Sequence, residues 1–234
     1  MVTGVFDDLA AERGRLQRTS AAHQVAELLR EHITAGALSP GTQLPEEALG
    51  TALGVSRNTL RESFRLLADQ RLVVHEMNRG VFVRVLSADD VADIYVLRRA
   101  LETAGIRAAS VAPPERLAVL RVAVERGEAA RVAADWVAVG TADLDFHLGI
   151  AALTGSERIS EAMGRLLAEL RLAFGAMPSA AELHEPFLRR NRTLAELLAT
   201  GRIAEAEAEL ASYLDDACRG IVAAIRGDLE VTEC

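Results

Sequence analysis

Residues 54–74 read GVSRNTLRESFRLLADQRLVV, and their reading decides the fold. Leu60, Phe64 and Leu67 recur at the spacing of one helical face, and Ser56 stands where a small hydroxyl residue caps a helix start. Arg57, Asn58, Thr59 and Arg61 crowd the other side of the first turns. Gly54 predicts a tight turn in front of this helix. Ahead of that turn, PEEALGTAL (45–53) reads as a short helix, with Pro45 in its first turn and Glu46 and Glu47 near the positive end of its dipole. Further upstream, SAAHQVAELLREHITAG (20–36) sets Val25, Leu28, Leu29 and Ile33 on one face, with Ser20 as cap and Gly36 as stop. Between these two, LSPGTQLP is turn chemistry around Pro40-Gly41. Downstream, LVVHEMNRGVFVRV (72–85) alternates around Asn78-Arg79-Gly80, the pattern of a two-stranded hairpin.

Helix, helix, turn, helix and hairpin make a winged helix-turn-helix. A recognition helix of this kind enters the DNA major groove N-terminus first, so its opening turn presents guanidinium and amide groups to base edges and hydroxyls to phosphates. Ser-Arg-Asn-Thr as an ordinary solvated helix start is the alternative. The hairpin with Arg79 at its tip shifts the balance toward DNA.

The run AGALSPGTQLPEEALGTALGVSRNTLRESFRLLADQRLV (35–73), followed by NRGVFV (78–83), resembles the GntR-type bacterial transcription regulators across residues 20–85. The resemblance implies DNA contacts from Ser56, Arg57, Asn58, Thr59 and Arg61, and a wing of Asn78, Arg79 and Gly80 reaching the minor groove. Two places depart from the pattern. Asn58-Thr59-Leu60 replaces the usual Thr-Pro-Val, and Gln70-Arg71 stands where an acid-glycine pair is common.

The chain has 234 residues, 50% of them hydrophobic, and a net charge of −8. That length buries one large core or two modest ones, and the charge pattern favours two. Met1 to Val85 balances 10 arginines against 10 acids, whereas Leu86 to Cys234 sets 16 against 24. A neutral half can still hold DNA, because phosphate contacts need locally positive surface and Arg57, Arg61, Arg65 and Arg79 cluster on one module. Cys218 and Cys234 are too few for a disulfide framework and fit a reducing cytoplasm. No stretch reads as a secretory signal or a membrane span. The expected division is an N-terminal extension at 1–19, a winged helix-turn-helix domain at 20–85 and an all-α bundle at 86–234. The fold class is therefore mainly α with one small β-hairpin.

In the second half, SADDVADIYVLRRALETAGIRAASVA (87–112) starts at a capping Ser87 and repeats Val91, Ile94, Leu97 and Leu101. PPERLAVLRVAVERGEAA, a helix pair broken near Thr154-Gly155-Ser156, and two last helices beginning near HEPF and RIAE complete about six or seven helices. Arg98, on the inward stripe, can hold a carboxylate or phosphate in a bidentate pair. An internal Arg98–Glu102 pair, or snorkelling, is the alternative. Asp143 and His147, four apart, share a helix face and could be half of a metal site.

The order L-R-x-x-L-E, D-x-x-F-H and a last helical pair resembles the FCD-type C-terminal domains of the FadR subfamily. Many such domains hold a divalent, zinc-like metal with an aspartate and three histidines, beside a small organic acid. Asp143 and His147 match that pattern, but Asn191 and Tyr213 replace two of the histidines. His184 is a candidate substitute, placed at an expected helix start beside Pro186. The lost imidazoles weigh against a metal and favour a pocket in which Arg98, Asp143, His147, Asn191 and Tyr213 hold an organic acid or acyl ligand directly. Tyr95, Met163, Phe174 and Met177 are candidate lining residues or plain core.

The resemblance implies a homodimer on a pseudo-palindromic operator, with effector binding changing DNA affinity. Two other readings stand beside it. One is a constitutive DNA-binding dimer with a ligand-free scaffold; the other is an enzyme using Asp143 and His147, against which no nucleophile motif or phosphate loop is found.

Overall fold

A computed structural model describes residues 13–176 and 179–227. Most of the 1–19 extension, Met177 and Cys234 lie outside the described residues. The chain divides between Val85 and Leu86 into two compact units.

The first unit is built on α1 (Arg13–Thr34), α2 (Glu46–Leu53), α3 (Arg57–Asp69), β1 (Val73–Glu76) and β2 (Gly80–Val83). Helix α1 starts at Arg13, so Ser20 lies inside it and is not its cap. Its buried stripe is Ala22, Val25, Ala26, Leu29 and Ile33, which leaves Leu28 39% exposed. That stripe packs on α3, whose Leu60, Phe64 and Leu67 are fully buried. Pro45 is the cap of α2 and not a residue of its first turn, and Gly54 ends α2 at φ +64°. The strands pair antiparallel, Val73 with Val83 and Glu76 with Gly80.

Helix α3 ends in a Schellman motif. Leu72 N–H donates to the Leu67 carbonyl and Arg71 N–H to the Ala68 carbonyl. Arg71 takes the left-handed position at φ +58°, where glycine is usual.

The second unit contains, among the described residues, six α-helices: α4 (Ala88–Ala108), α5 (Pro114–Val132), α6 (Trp136–Ala152), α7 (Glu157–Arg171), α8 (Ala180–Ala199) and α9 (Ile203–Arg226). Helix α6 is apolar nearly all round and sits centrally, packed by α4, α5, α7 and α8. Ser87 caps α4 through a box with Asp90, each accepting the other's backbone N–H. The inward stripe of α4 differs from the expected one. It runs Val91, Ile94, Tyr95, Arg98, Glu102 and Ile106, with Leu97 44% exposed, because Arg98 pairs with Glu102 and Glu102 in turn meets the buried His147 on α6, so this polar pair takes the inward stripe. Gly105 lets α4 press on α6: a Cβ there would lie 2.0 Å from the Ile150 carbonyl oxygen.

Candidate functional sites

The exposed opening turn of α3 is the first candidate. Ser56 Oγ accepts from the Thr59 N–H at 3.1 Å and lies 2.8 Å from the Thr59 hydroxyl. That pair turns Thr59 inward to 9% exposure, so Thr59 does not share the outward face on which the sequence places it. Arg57 and Asn58 are exposed, as is the Arg61 side chain at 67%. At the wing tip Asn78 takes φ +61° and Gly80 φ +105°, which leaves Arg79 projecting between them. Gln43, which sequence reasoning missed, fastens this tip: its Nε2 donates to the Arg79 carbonyl at 2.8 Å, and its backbone bridges to Phe82. The only signal in the sequence was its place in the turn before α2, too weak to single it out.

The second candidate is a buried polar chain crossing four helices. Arg98 Nε on α4 donates to Glu102 Oε1 at 2.9 Å, and Glu102 Oε2 lies 2.6 Å from His147 Nδ1 on α6. His147 Nε2 then faces Asp143 Oδ1 at 3.9 Å. That same oxygen accepts from Asn191 Nδ2 on α8 at 2.7 Å and from the Tyr213 hydroxyl on α9 at 2.9 Å. Arg98, Glu102 and His147 are at most 2% exposed. Burial works against the charged forms, yet Arg98 and His147 hold the Glu102 carboxyl below its ordinary range. Burial likewise pushes the Asp143 carboxyl up, but His147, His184, the Asn191 hydrogen bond and Arg98 together hold it down. Burial and the neighbouring Asp143 raise the Tyr213 phenol, which stays protonated as a donor.

The internal Arg98–Glu102 pair is thus formed, but it uses only part of the guanidinium. Arg98 Nη2, His147 Nε2 and Asn191 Oδ1 are buried without a hydrogen-bond partner. Beside them is a cavity of about 20 Å³, room for a single water. Tyr95, Arg98, Asp143, His184 and Tyr213 line its polar side, and Phe174, Leu170 and Phe187 its apolar side. His147 and Asn191 do not line it; Asn191 orients Asp143 through its hydrogen bond, while His147 is held by Glu102. Met163 is buried core away from this wall. His184 is not at a helix start, because α8 begins six residues before Pro186 at Ala180, capped by Ser179 accepting from the Glu182 N–H at 3.0 Å. Gly140 gives its ring room, since a Cβ there would lie 2.6 Å from Nε2.

Comparison with known proteins matches residues 21–83 to the family described as "Bacterial regulatory proteins, gntR family" and residues 93–216 to the FCD domain. The chain belongs to the GntR family. Its members are transcriptional regulators that bind DNA. Among solved structures, a GntR transcriptional regulator from Rhodococcus sp. RHA1 is 40% identical, with a TM-score of 0.82 over 87% of this chain and 98% of that one. The "Nta operon transcriptional regulator" of Aminobacter aminovorans is 31% identical over 57% of this chain. The match spans 64% of that relative's length. The "Probable D-xylose utilization operon transcriptional repressor" of Paenarthrobacter nicotinovorans is 28% identical over 74% of this chain and 80% of its own.

A GntR regulator with an FCD domain raises the question of a bound metal, and the donor set here does not fit one. Asn191 and Tyr213 both point hydrogens at Asp143 Oδ1, the oxygen a cation would use, and neither offers the imidazole nitrogen that a zinc-like ion favours. Among the described residues no three His, Cys, Asp or Glu side chains converge as a ligand set. No helix among them is long and apolar enough to cross a membrane.

Proposed function

We propose that this GntR regulator is a repressor that binds a pseudo-palindromic operator as a homodimer and releases it when a small organic acid or acyl ligand enters the α4–α6–α8–α9 cavity. Ser56, Arg57, Asn58 and Arg61 read one half-site, and Asn78, Arg79 and Gly80 follow the adjacent minor groove. Thr59 contributes by holding Ser56. The observation that carries the reading is the exposed Arg57-Asn58 turn beside a wing that presents Arg79. Names of relatives support the repressor sign, the D-xylose operon repressor among them.

In the bundle, Arg98 Nη2 is a buried donor without an acceptor, suited to a carboxylate or thioester oxygen, while Phe174 and Phe187 suit an apolar chain. Asn191 and Tyr213 fix Asp143 at the cavity's edge. One observation favours a second reading, a scaffold without ligand: about 20 Å³ holds only a water, so an effector must first widen the cavity. Acid-base catalysis by Asp143 and His147 has no support in the geometry, because the His147 ring is fully buried and outside the cavity wall.

A thermal-shift series with short and medium-chain carboxylates and their thioesters separates these readings. A ligand that binds only the folded state adds about 2.7 kcal/mol at a hundred times its Kd, a shift of several degrees. An Arg98→Met variant then loses the shift. A melting temperature that no acid or thioester moves supports the scaffold.

A further inference from the structure

Of the four arginines clustered on the first unit, Arg57, Arg61, Arg65 and Arg79, three are already paired in the free protein. Arg61 Nε on α3 lies 3.6 Å from Glu46 Oε1 on α2, and Arg65 Nη1 lies 3.2 Å from Glu62 Oε2. At the wing tip Arg79 pairs with Glu76, and its guanidinium sits 5.2 Å from the Phe82 ring centroid. Arg57 alone of these four holds no carboxylate among the described residues. The guanidinium side chains of Arg61, Arg65 and Arg79 are each at least 67% exposed, so the pairs lie on the surface that faces outward.

We infer that Glu46, Glu62 and Glu76 are internal competitors for DNA phosphate, which set how weakly this head binds DNA of arbitrary sequence. The inference rests on the assignment of α3 and the wing as the DNA-reading face. Exposed ion pairs of this kind add little to folding, because water screens them. Their effect on binding is different. Sequence-independent affinity comes from arginines that neutralise phosphates and release condensed cations, about 0.9 in the logarithmic salt slope for each phosphate. An arginine that must first leave a carboxylate releases fewer ions on net, and the carboxylate left behind repels the backbone. Three paired arginines out of four therefore weaken non-specific binding and flatten its salt dependence. Residues 20–85 hold seven arginines and seven acids, so a module of zero net charge has carboxylates enough for this pairing. Base contacts, which need an arginine in one bidentate geometry, then supply a larger share of the affinity for the right site.

The test is fluorescence anisotropy of the full chain on a short mixed-sequence duplex across a salt series. It compares wild type, the Glu46→Gln/Glu62→Gln/Glu76→Gln variant and a control, Glu27→Gln/Glu31→Gln, which removes two charges from α1 of the same unit, where Glu27 pairs with Arg30 and not with these arginines. Circular dichroism checks that each folds. The expected result is that the first variant binds at least about tenfold tighter than the control at low salt, with a salt slope steeper by about 2 to 3 per head. An affinity and slope equal to or below the control's overturn the inference. Arg57→Ala, run in parallel, guards the underlying assignment: if it leaves wild-type affinity unchanged, the reading face is misplaced, whatever the glutamine variant does.

Discussion

Arg71 shows how a single residue departs from its pattern at a physical cost. It occupies the left-handed C′ position of the Schellman motif that turns α3 into β1, at φ +58°. A side chain there crowds the following carbonyl, so Arg71→Gly stabilises the head by about 0.5–1 kcal/mol after allowing for glycine's looser unfolded state. Urea unfolding checks this, and a loss of stability would contradict it. The sequence flags Gln70-Arg71 as unusual, but only the backbone shows that the motif survives with the wrong residue in it. Deep in the bundle the consequence of one substitution is larger. Glu102 balances Arg98 and holds His147 Nδ1, so Glu102→Ala strands a buried guanidinium and costs about 3–5 kcal/mol by the same assay. The pair of Arg98 and Glu102 was legible from their spacing of four. Their partner on α6 was not, because contact between helices leaves no periodic mark in one sequence.

At the scale of elements, helices with a sharp cap and a clean stripe were legible: α3 from Ser56 and its leucines, α4 from Ser87, and the α6–α7 break from Thr154-Gly155-Ser156. Misreadings arose where one strong local signal hid another. Pro186 suggested a helix start, whereas the chain accommodates it in the second turn and starts the helix at Ala180, behind the cap Ser179. Ser20 suggested a cap inside what is a longer helix. The crossing of α4 on α6 depends on a glycine that periodicity passes over. Gly105→Ala would drive a methyl group into the Ile150 carbonyl, forcing the helices apart. We expect a loss of about 1–3 kcal/mol or more. The Glu102–His147 contact, one turn away, loosens with it. A Gly105→Ala protein as stable as wild type would show that the crossing tolerates a larger separation.

The whole molecule should carry a defined pH signature. Burial lowers the His184 pKa from its ordinary 6.5, so below that value the unfolded chain takes up the proton first and stability declines. Glu102 and Asp143 have folded pKa values below their ordinary 4.5 and 3.8. Their contribution is complete above those values and lost as pH falls through the folded ones. Unfolding midpoints of the second unit should therefore drop in two stages on acidification, and His184→Gln should remove the first, which sets in as pH falls below 6.5. Chelators should leave the melting temperature unchanged, since the donors around Asp143 do not fit a cation. The mainly helical class was legible from periodicity. The polar chain linking four helices was only partly so: its members could be named singly, but not the order in which they touch.

The most direct measurement is selection of bound sequences from a random duplex pool, run in parallel with wild-type protein and a folded Arg57→Ala variant. The account predicts that wild type enriches one inverted repeat with two half-sites about a helical turn or two apart. Arg57→Ala should lose about 1–3 kcal/mol per half-site and enrich no motif. If Arg57→Ala enriches the same repeat with the same strength, the opening turn of α3 is not what reads DNA.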